Sequence, residues 1–326
     1  MNFFNIFRKK ERKTIKCCMD ISKKAINYSS NINLTGKNIG IAILDTGISL
    51  VEDFCSPSNR VIAFKDFING RKNPYDDNGH GTHVAGIASG NGTMSNKKYM
   101  GVAPKSNIIS IKILDKNGQG TPISAIKAME WILKNRHKYN IRVVNLSIGT
   151  QDKSLYVPLM NAVNSLWKSG IVVVAASGNN IDRSFKITIP GINPNIITVG
   201  SYEDFCIKKK FGTQSFIYYE RNFLSALKPF SKPDILAPGE NIVSVMAPDF
   251  DFSQKGREDF VPINKNYIAM TGSSMATPIV SGAVALLLEK EKNITPQMVK
   301  EKLIKTSFKG NSILNKGILD LESFLK

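Results

Sequence analysis

The chain has 326 residues, of which 42% are hydrophobic, and it carries a formal net charge of +18 at pH 7. A chain of this size can bury a sizeable core, and its apolar runs fall well short of the roughly 18 residues that a membrane span requires. These totals favour a soluble protein with one main domain. The lysines are spread over the whole chain without a nucleic-acid-binding motif, so we expect no nucleic-acid partner.

The N-terminus does not have the pattern of an export signal. Apolar residues between Phe3 and Phe7 precede the basic run 8–13, whereas a secretory signal places its charges first. The four cysteines form neither a disulfide framework nor a Cys-x-x-Cys metal spacing. These observations predict a cytoplasmic location.

Short apolar runs separated by helical segments begin after Gly36, whereas residues 1–33 are polar, basic and weakly patterned. We therefore predict a short basic extension over residues 1–33 and a single domain over residues 34–326. Five near-continuous apolar runs in this domain are typical of parallel strands buried on both faces: residues 39–44, 107–114, 143–148, 171–176 and 196–199.

Two segments show the spacing of amphipathic helices. They begin with Thr-Pro at Thr121 and at Thr295, which supplies an N-cap followed by proline at the first helical position. Alternating strands and helices predict an α/β fold with a mostly parallel, doubly wound sheet and helices on both faces. Functional residues of such folds lie beyond the carboxyl ends of the strands.

Two polar motifs follow this expectation. Asp45 ends the first apolar run and precedes Thr-Gly, although an isolated aspartate here also fits a turn cap. Residues 78–86 read Asn-Gly-His-Gly-Thr-His-Val-Ala-Gly and contain His80 and His83. A His-x-x-His pair suggests a metal site, but the glutamate of the zinc motif and a third ligand are missing. We therefore interpret His80 as a general base and His83 as a packed structural residue.

Ser274 lies in residues 271–278, which read Thr-Gly-Ser-Ser-Met-Ala-Thr-Pro and lead into an apolar helical segment. A serine at the head of a helix fits a nucleophile, because the N-terminal partial charges stabilise developing negative charge, and it also fits a simple N-cap.

The three motifs together, in the order Asp, His, Ser, resemble those of the subtilisin family, with Ser273 as the one departure from Gly-Thr-Ser-Met-Ala. The resemblance is greatest to the intracellular AprX-like branch. It implies a subtilisin-like serine endopeptidase with the catalytic triad Asp45, His80 and Ser274.

The resemblance extends from about Asn33 to the C-terminus and implies further site residues. Asn179 matches the asparagine that donates to the oxyanion together with the backbone N–H of Ser274, although Gly-Asn also suits a tight turn. Thr188 is expected near the base of the substrate pocket, where many relatives have glycine, so a large aromatic side chain should fit poorly. The substrate-binding residues implied are Gly118, Gln119, Gly120, Ser147, Ile148, Gly149, Ala176, Ser177 and Gly178.

A calcium site is the one cofactor question that the family raises. Its best-known calcium loop is not recognisable between Gly90 and Tyr99, although Asp53 matches an acidic position near such a site. Calcium requires several oxygens around one ion, so one aspartate is insufficient. We expect no required metal and no other required cofactor; structural calcium stays open, although the sequence does not support it.

The resemblance implies polypeptide substrates and leaves the physiological substrate and the oligomeric state open. A catalytically silent binding protein on this fold would be expected to lack a triad residue, and a dinucleotide-binding module would need Gly-x-Gly-x-x-Gly after the first strand.

We interpret residues 1–33 as a flexible extension that lies over the substrate cleft or is trimmed. The rival interpretation is a membrane-surface helix, but it lacks a second anchor, so no stable membrane association is expected.

Overall fold

The structure is a computed structural model that describes residues 19–150, 156–178, 187–202, 232–253, 260–309 and 316–326. Its helices are α1 (Met19–Ala25), α2 (Glu52–Cys55), α3 (His80–Ser89), α4 (Pro122–Asn135), α5 (Tyr156–Lys168), α6 (Ser273–Lys290), α7 (Pro296–Thr306) and α8 (Leu321–Leu325). Its strands are β1 (Gly40–Asp45), β2 (Val61–Asp66), β3 (Asn107–Lys112), β4 (Ile141–Leu146), β5 (Val172–Ala176), β6 (Ile197–Tyr202), β7 (Ile235–Pro238), β8 (Ile242–Val245), β9 (Val261–Pro262) and β10 (Tyr267–Met270).

The main sheet contains seven of the described strands in the order β2-β3-β1-β4-β5-β6-β7, and all of their pairings are parallel. The chain places β2 and β3 on one side of β1 and then builds β4 to β7 on the other side. The direction of winding therefore reverses at β1, which is where sheets of this kind place their sites.

Helices cover both faces of the sheet because the strands are apolar on both faces. In β1, Ile41 and Ile43 pack into the core that contains α3 and α6, whereas Ala42 and Leu44 pack into the core that contains α4 and α5. Each fully buried isoleucine or leucine contributes roughly 1.5–3 kcal/mol relative to an exposed one. This architecture confirms the predicted α/β fold with a doubly wound parallel sheet.

All five predicted strands are present, and both predicted helices begin at their Thr-Pro sequences. The hydroxyls of Thr121 and Thr295 accept hydrogen bonds from the N–H groups of Ser124 and Met298 at 3.1 and 3.3 Å. The structure adds β2 and β7 to the main sheet and a small antiparallel sheet in the order β8-β10-β9. These strands are short or partly exposed, so they leave no long apolar run in the sequence.

Helix α6 begins at Ser273, within residues 271–278, and every residue from Met275 to Leu288 is buried. Gly282 lets it approach the neighbouring loop, since a Cβ there would lie 2.6 Å from the Cβ of Val102. Among the residues that the structure describes, no helix combines the length and the apolar character needed to cross a bilayer.

The described part of the N-terminal extension is packed onto the domain. Met19 and Ile26 are each only 1% exposed and join the core that contains α3 and α6. The N–H of Leu321 donates to the carbonyl of Ile26 at 2.7 Å. Residues 19–33 therefore differ from the flexible segment that we expected, because buried and partly buried apolar side chains anchor a stretch whose overall pattern is weak. Residues 1–18 lie outside the described residues.

Candidate active site

The predicted carboxylate and base lie in contact at the carboxyl edge of the sheet. Asp45 is the last residue of β1 and is 1% exposed. Its Oδ1 accepts a hydrogen bond from the N–H of Thr46 and lies 2.7 Å from Nδ1 of His80. His80 is the first residue of α3, and its side chain is 24% exposed. The imidazole is thus fixed on its Nδ1 side and remains reachable from solvent.

A second carboxylate, that of Asp76, holds the loop that carries His80. Its Oδ1 accepts hydrogen bonds from the hydroxyl of Thr46 and the N–H of Gly79, both at 2.8 Å. Its Oδ2 accepts from the N–H and the hydroxyl of Thr82 at 2.8 and 2.6 Å. One buried carboxylate therefore joins the end of β1 to the first turn of α3, where the helix dipole also favours negative charge. An aspartate in this loop carries no sequence signal for such a role.

Glycines allow α3 to begin directly against β1. A Cβ at Gly81 would lie 2.3 Å from the carbonyl oxygen of Gly47. Gly47 itself has φ of +121°, and a Cβ there would lie 2.1 Å from the carbonyl oxygen of Tyr75. Side chains at these two positions would push the strand and the helix apart, so the short contact between Asp45 and His80 depends on both glycines.

Lys112 brings a buried positive charge to the same edge. It ends β3, and its Nζ donates to the carbonyl of Thr46 and to Oδ1 of Asp77, both at 2.6 Å. The ammonium also lies 4.9 Å from the ring centroid of Tyr75. A lysine within the apolar run 107–114 was the available sequence signal, because a buried ammonium requires partners.

His83 is buried, as the sequence predicted. Its Nε2 lies 3.1 Å from the carbonyl oxygens of both Ile242 in β8 and Ile268 in β10. Burial lowers the pKa of His83 to about 3, with a further contribution from the nearby His80. His83 is therefore neutral at physiological pH and ties α3 to the small sheet.

The predicted nucleophile lies in the first turn of α6. The hydroxyl of Ser274 donates to the carbonyl of Ser147 at 2.9 Å, and the hydroxyl of Ser147 donates to the carbonyl of Ser274 at 2.8 Å. The amide of Asn145 donates to the hydroxyl of Ser147 at 2.9 Å, and Ser281 of α6 donates to Oδ1 of Asn145 at 2.8 Å. Uncharged groups thus hold α6 against the end of β4.

A cleft of about 610 Å³ opens above these strand ends. Its lining includes His80 and the two predicted backbone-pairing segments, residues 118–120 and 147–149. Ser274 does not line the cleft, but its hydroxyl is hydrogen-bonded to Ser147, which does. The base and the two predicted segments therefore line the same cleft.

The other predicted pocket residues, Ala176, Ser177 and Gly178, lie behind this cleft and do not line it. Thr188 fills the space in between. A Cβ added to Gly149 would lie 2.0 Å from Oγ1 of Thr188, and one added to Gly178 would lie 2.5 Å from its Cγ2. Asn179, the predicted oxyanion donor, lies outside the described residues.

The surroundings of Asp53 do not fit a calcium ion. Its Oδ1 accepts a hydrogen bond from the N–H of Met94 at 2.8 Å, and its Oδ2 accepts one from the hydroxyl of Tyr267 at 2.7 Å. Both carboxylate oxygens are thus engaged by donors, whereas calcium needs several free oxygens. No group of three or more His, Cys, Asp or Glu side chains in the described part of the chain is arranged to hold a metal.

Comparisons with known proteins agree with the predicted resemblance. The profile described as "Subtilase family" matches residues 36–320. The chain is 36% identical over 306 residues to Serine protease AprX of Bacillus subtilis (strain 168), which covers 89% of this chain and 66% of that protein. It is 31% identical over 306 residues to Subtilisin BL of Lederbergia lenta, which covers 93% and 96% of the two chains.

A solved structure points to the same fold. The chain matches a cold adapted subtilisin-like serine proteinase with a TM-score of 0.65 and 26% sequence identity, over 89% of this chain and 91% of that chain. The chain spans just under two thirds of the length of AprX. The fold of this chain is therefore that of the matched structure.

Proposed function

Because the chain belongs to the subtilase family of serine endopeptidases, we propose that it hydrolyses peptide bonds through an acyl-enzyme on Ser274, with Asp45, His80 and Ser274 as its catalytic triad. The observation that carries this proposal is the 2.7 Å contact between Asp45 and His80 at the mouth of the cleft. Such a contact leaves Nε2 of the imidazole as the proton acceptor and stabilises the imidazolium that forms.

The reaction begins when the hydroxyl of Ser274 turns from the carbonyl of Ser147 towards His80. His80 accepts the hydroxyl proton as Oγ forms a bond to the peptide carbonyl carbon. The imidazolium then gives this proton to the leaving amine as the carbon–nitrogen bond breaks. Water releases the acyl group in the same way, with His80 again accepting a proton. The chain supplies the acid, the base and the nucleophile, so this chemistry needs no cofactor.

The negative charge on the substrate oxygen requires hydrogen-bond donors that are in place before the reaction. We assign this role to the backbone N–H of Ser274 and to the side chain of Asn179. The first assignment is supported by the position of Ser274 in the first turn of an 18-residue helix, whose N-terminal partial charge is positive. The second is supported by the family motif around Asn179.

The cleft fits an extended polypeptide substrate. Residues 118–120 and 147–149 line it, and pairing with the substrate main chain tolerates many sequences. Discrimination then depends on side-chain pockets. The position of Thr188 between Gly149 and Gly178 favours a small side chain in the substrate residue that acylates Ser274.

Reaction with a serine-directed phosphonate, followed by peptide mapping, tests the assignment of the nucleophile. We expect one adduct, on Ser274, that disappears in Ser274→Ala. The matched control is Ser273→Ala, which alters the adjacent buried serine and should retain the label. An adduct on a different residue, or none in wild-type protein that hydrolyses peptides, would contradict the proposed triad.

A further inference from the structure

An aromatic cluster lies against the loop that carries His80. It consists of Phe250, Phe252 and Phe260, with ring centroids 4.8 Å apart for Phe250 and Phe252 and 6.1 Å apart for Phe250 and Phe260. Phe250 packs on Gly79, the residue before His80, so closely that a Cβ at Gly79 would lie 2.5 Å from its Cδ2. The cluster is therefore adjacent to the general base.

Only one ring of this cluster lines the cleft. Phe260, which is half-buried, forms part of the cleft wall together with Met270 of β10 and with His80. Phe252 is 46% exposed but is not part of that wall. Phe260 thus presents apolar surface to whatever occupies this end of the cleft.

The proton transfers of the proposed reaction show which fragment of the substrate lies at this end of the cleft. The base that accepts the proton of Ser274 returns it to the leaving amine, so the leaving fragment must lie beside His80. The acyl fragment lies instead beside Ser147, whose carbonyl is 2.9 Å from the hydroxyl of Ser274. Phe260 packs on Phe250, which packs on Gly79, and it lines the cleft together with His80, so we place it on the side of the leaving fragment.

We propose that Phe260 is a specificity-determining residue that binds an apolar side chain on the substrate residue immediately after the cleaved bond. This inference rests on the proposed triad, and it names the substrate class on the leaving side of the same site. A side chain that covers the ring removes apolar surface from water on both partners, which favours leucine-like residues over glycine at this position.

Acyl transfer to added amines measures this preference directly. A peptide ester acylates Ser274, and an amino acid amide then competes with water for the acyl group. The amine nitrogen forms a bond to the acyl carbon as the carbon–Oγ bond breaks, and its proton passes through His80 to Oγ. The attacking amine occupies the position of the leaving residue, since this step is the reverse of peptide cleavage.

The experiment compares leucinamide with glycinamide as acceptors for one ester, in wild-type protein and in Phe260→Ala, Phe260→Leu and Phe252→Ala. The readout is the ratio of leucinamide to glycinamide products, which does not depend on the rate of acylation. We expect wild-type protein to favour leucinamide and Phe260→Ala to lower the ratio by roughly tenfold, near the lower limit of discrimination by apolar pockets. Phe260→Leu should retain most of the preference.

The matched control is Phe252→Ala, which disturbs the same cluster away from the cleft and should keep the wild-type ratio. An unchanged ratio in Phe260→Ala overturns the inference, and so does an equal loss in Phe252→Ala, which would indicate a general effect of the cluster. Ester hydrolysis separates a failure of this inference from a failure of the proposed triad. If wild-type protein does not hydrolyse the ester at all, the proposed triad is overturned and this inference with it.

Discussion

The two halves of the candidate site are built from different groups. The half around His80 is charged and contains Asp45, Asp76, Asp77 and Lys112. Asp45 contacts His80, Asp76 accepts a hydrogen bond from Thr46, and Lys112 donates to Asp77 and to the carbonyl of Thr46. The half around Ser274 is held, among the described residues, by hydroxyls, an amide and backbone carbonyls.

This difference follows from what each half does in the proposed reaction. The base must hold a proton and then release it, and ionised hydrogen-bond partners fix it about twice as strongly as neutral ones do. The nucleophile half acquires charge only in the transition state and must leave room for the substrate. Outside the triad itself, substitutions in the charged half should therefore affect stability and pH dependence most, whereas those in the neutral half should affect turnover and specificity.

The sharpest test of the neutral half is Ser274→Ala. We expect turnover to fall by roughly a million-fold, the scale known for subtilisin when it loses its nucleophile. Stability should change little, because the hydroxyl makes one neutral hydrogen bond that contributes about 1 kcal/mol. Peptide hydrolysis and urea unfolding measure the two effects. Retention of most of the activity would sink the assignment of the nucleophile.

In the charged half, Asp76→Ala should lower the free energy of unfolding by at least about 3 kcal/mol, because several buried donors lose their acceptor at once. The control is Asp115→Ala, which removes a carboxylate that accepts from two backbone N–H groups in an exposed turn. Urea unfolding should show a loss below about 1 kcal/mol for this control. Equal losses in the two variants would mean that burial in the charged half has no special role.

His83 makes the charged half sensitive to acid. Its pKa in the folded protein is about 3, while an unfolded histidine titrates near 6.5. As pH falls, His83 therefore takes up a proton in the unfolded chain before it does so in the folded protein. Its contribution to the free energy of unfolding is fully present above about pH 6.5 and decreases by about 1.4 kcal/mol per pH unit below that value.

Urea unfolding at pH 7 and pH 5 should thus differ by about 2 kcal/mol from this residue alone. His83→Asn should remove that contribution, whereas His137→Asn, at an exposed position, should leave it. The prediction fails if the acid sensitivity of His83→Asn equals that of wild-type protein.

Thr188→Gly tests how the neutral half limits substrate choice. We expect kcat/KM for a substrate with phenylalanine before the cleaved bond to rise roughly tenfold relative to one with alanine, because the gap between Gly149 and Gly178 opens. Thr188→Ser, which removes only the methyl group, should give an intermediate ratio. Paired peptide substrates measure it, and identical ratios in all three proteins would show that Thr188 does not limit the pocket.

Chelation should have the smallest effect on activity and stability. The carboxylate of Asp53 accepts hydrogen bonds from Tyr267 and from the N–H of Met94, so it is not free to bind a cation. Addition of EDTA should leave both peptide hydrolysis and the unfolding midpoint unchanged. Inactivation by EDTA that added calcium reverses would reveal a calcium site elsewhere in the chain.

The sequence predicted the central strands well because each is buried on both faces and leaves a run of apolar residues. It missed β2, whose Ile62 is exposed at the sheet edge, and the four-residue strands β8 and β10, which are too short to leave a periodic pattern. Propensity and pattern are local signals, whereas the existence of these strands depends on partners distant in the chain.

The motifs likewise identified residues that carry out chemistry but not those that hold them. Asp76 and Lys112 acquire their roles only through neighbours brought together by the fold, and Phe260 lies in a segment without a recognisable motif. The flexible interpretation of residues 19–33 was wrong for a related reason. A few apolar side chains, among them Met19 and Ile26, anchor this stretch to the core, and composition averages conceal so small a number.

The hydrogen bonds of His83 also bear on how the protein would lose its proposed activity. It joins α3 to β8 and β10, and β10 continues into Ser274 within four residues. An opening fluctuation that separates α3 from the small sheet therefore displaces the base and the nucleophile in a single event. Under the proposed function, a molecule in that open state is inactive and exposes chain that intact molecules can cleave, so we expect losses through self-digestion to follow the frequency of this opening.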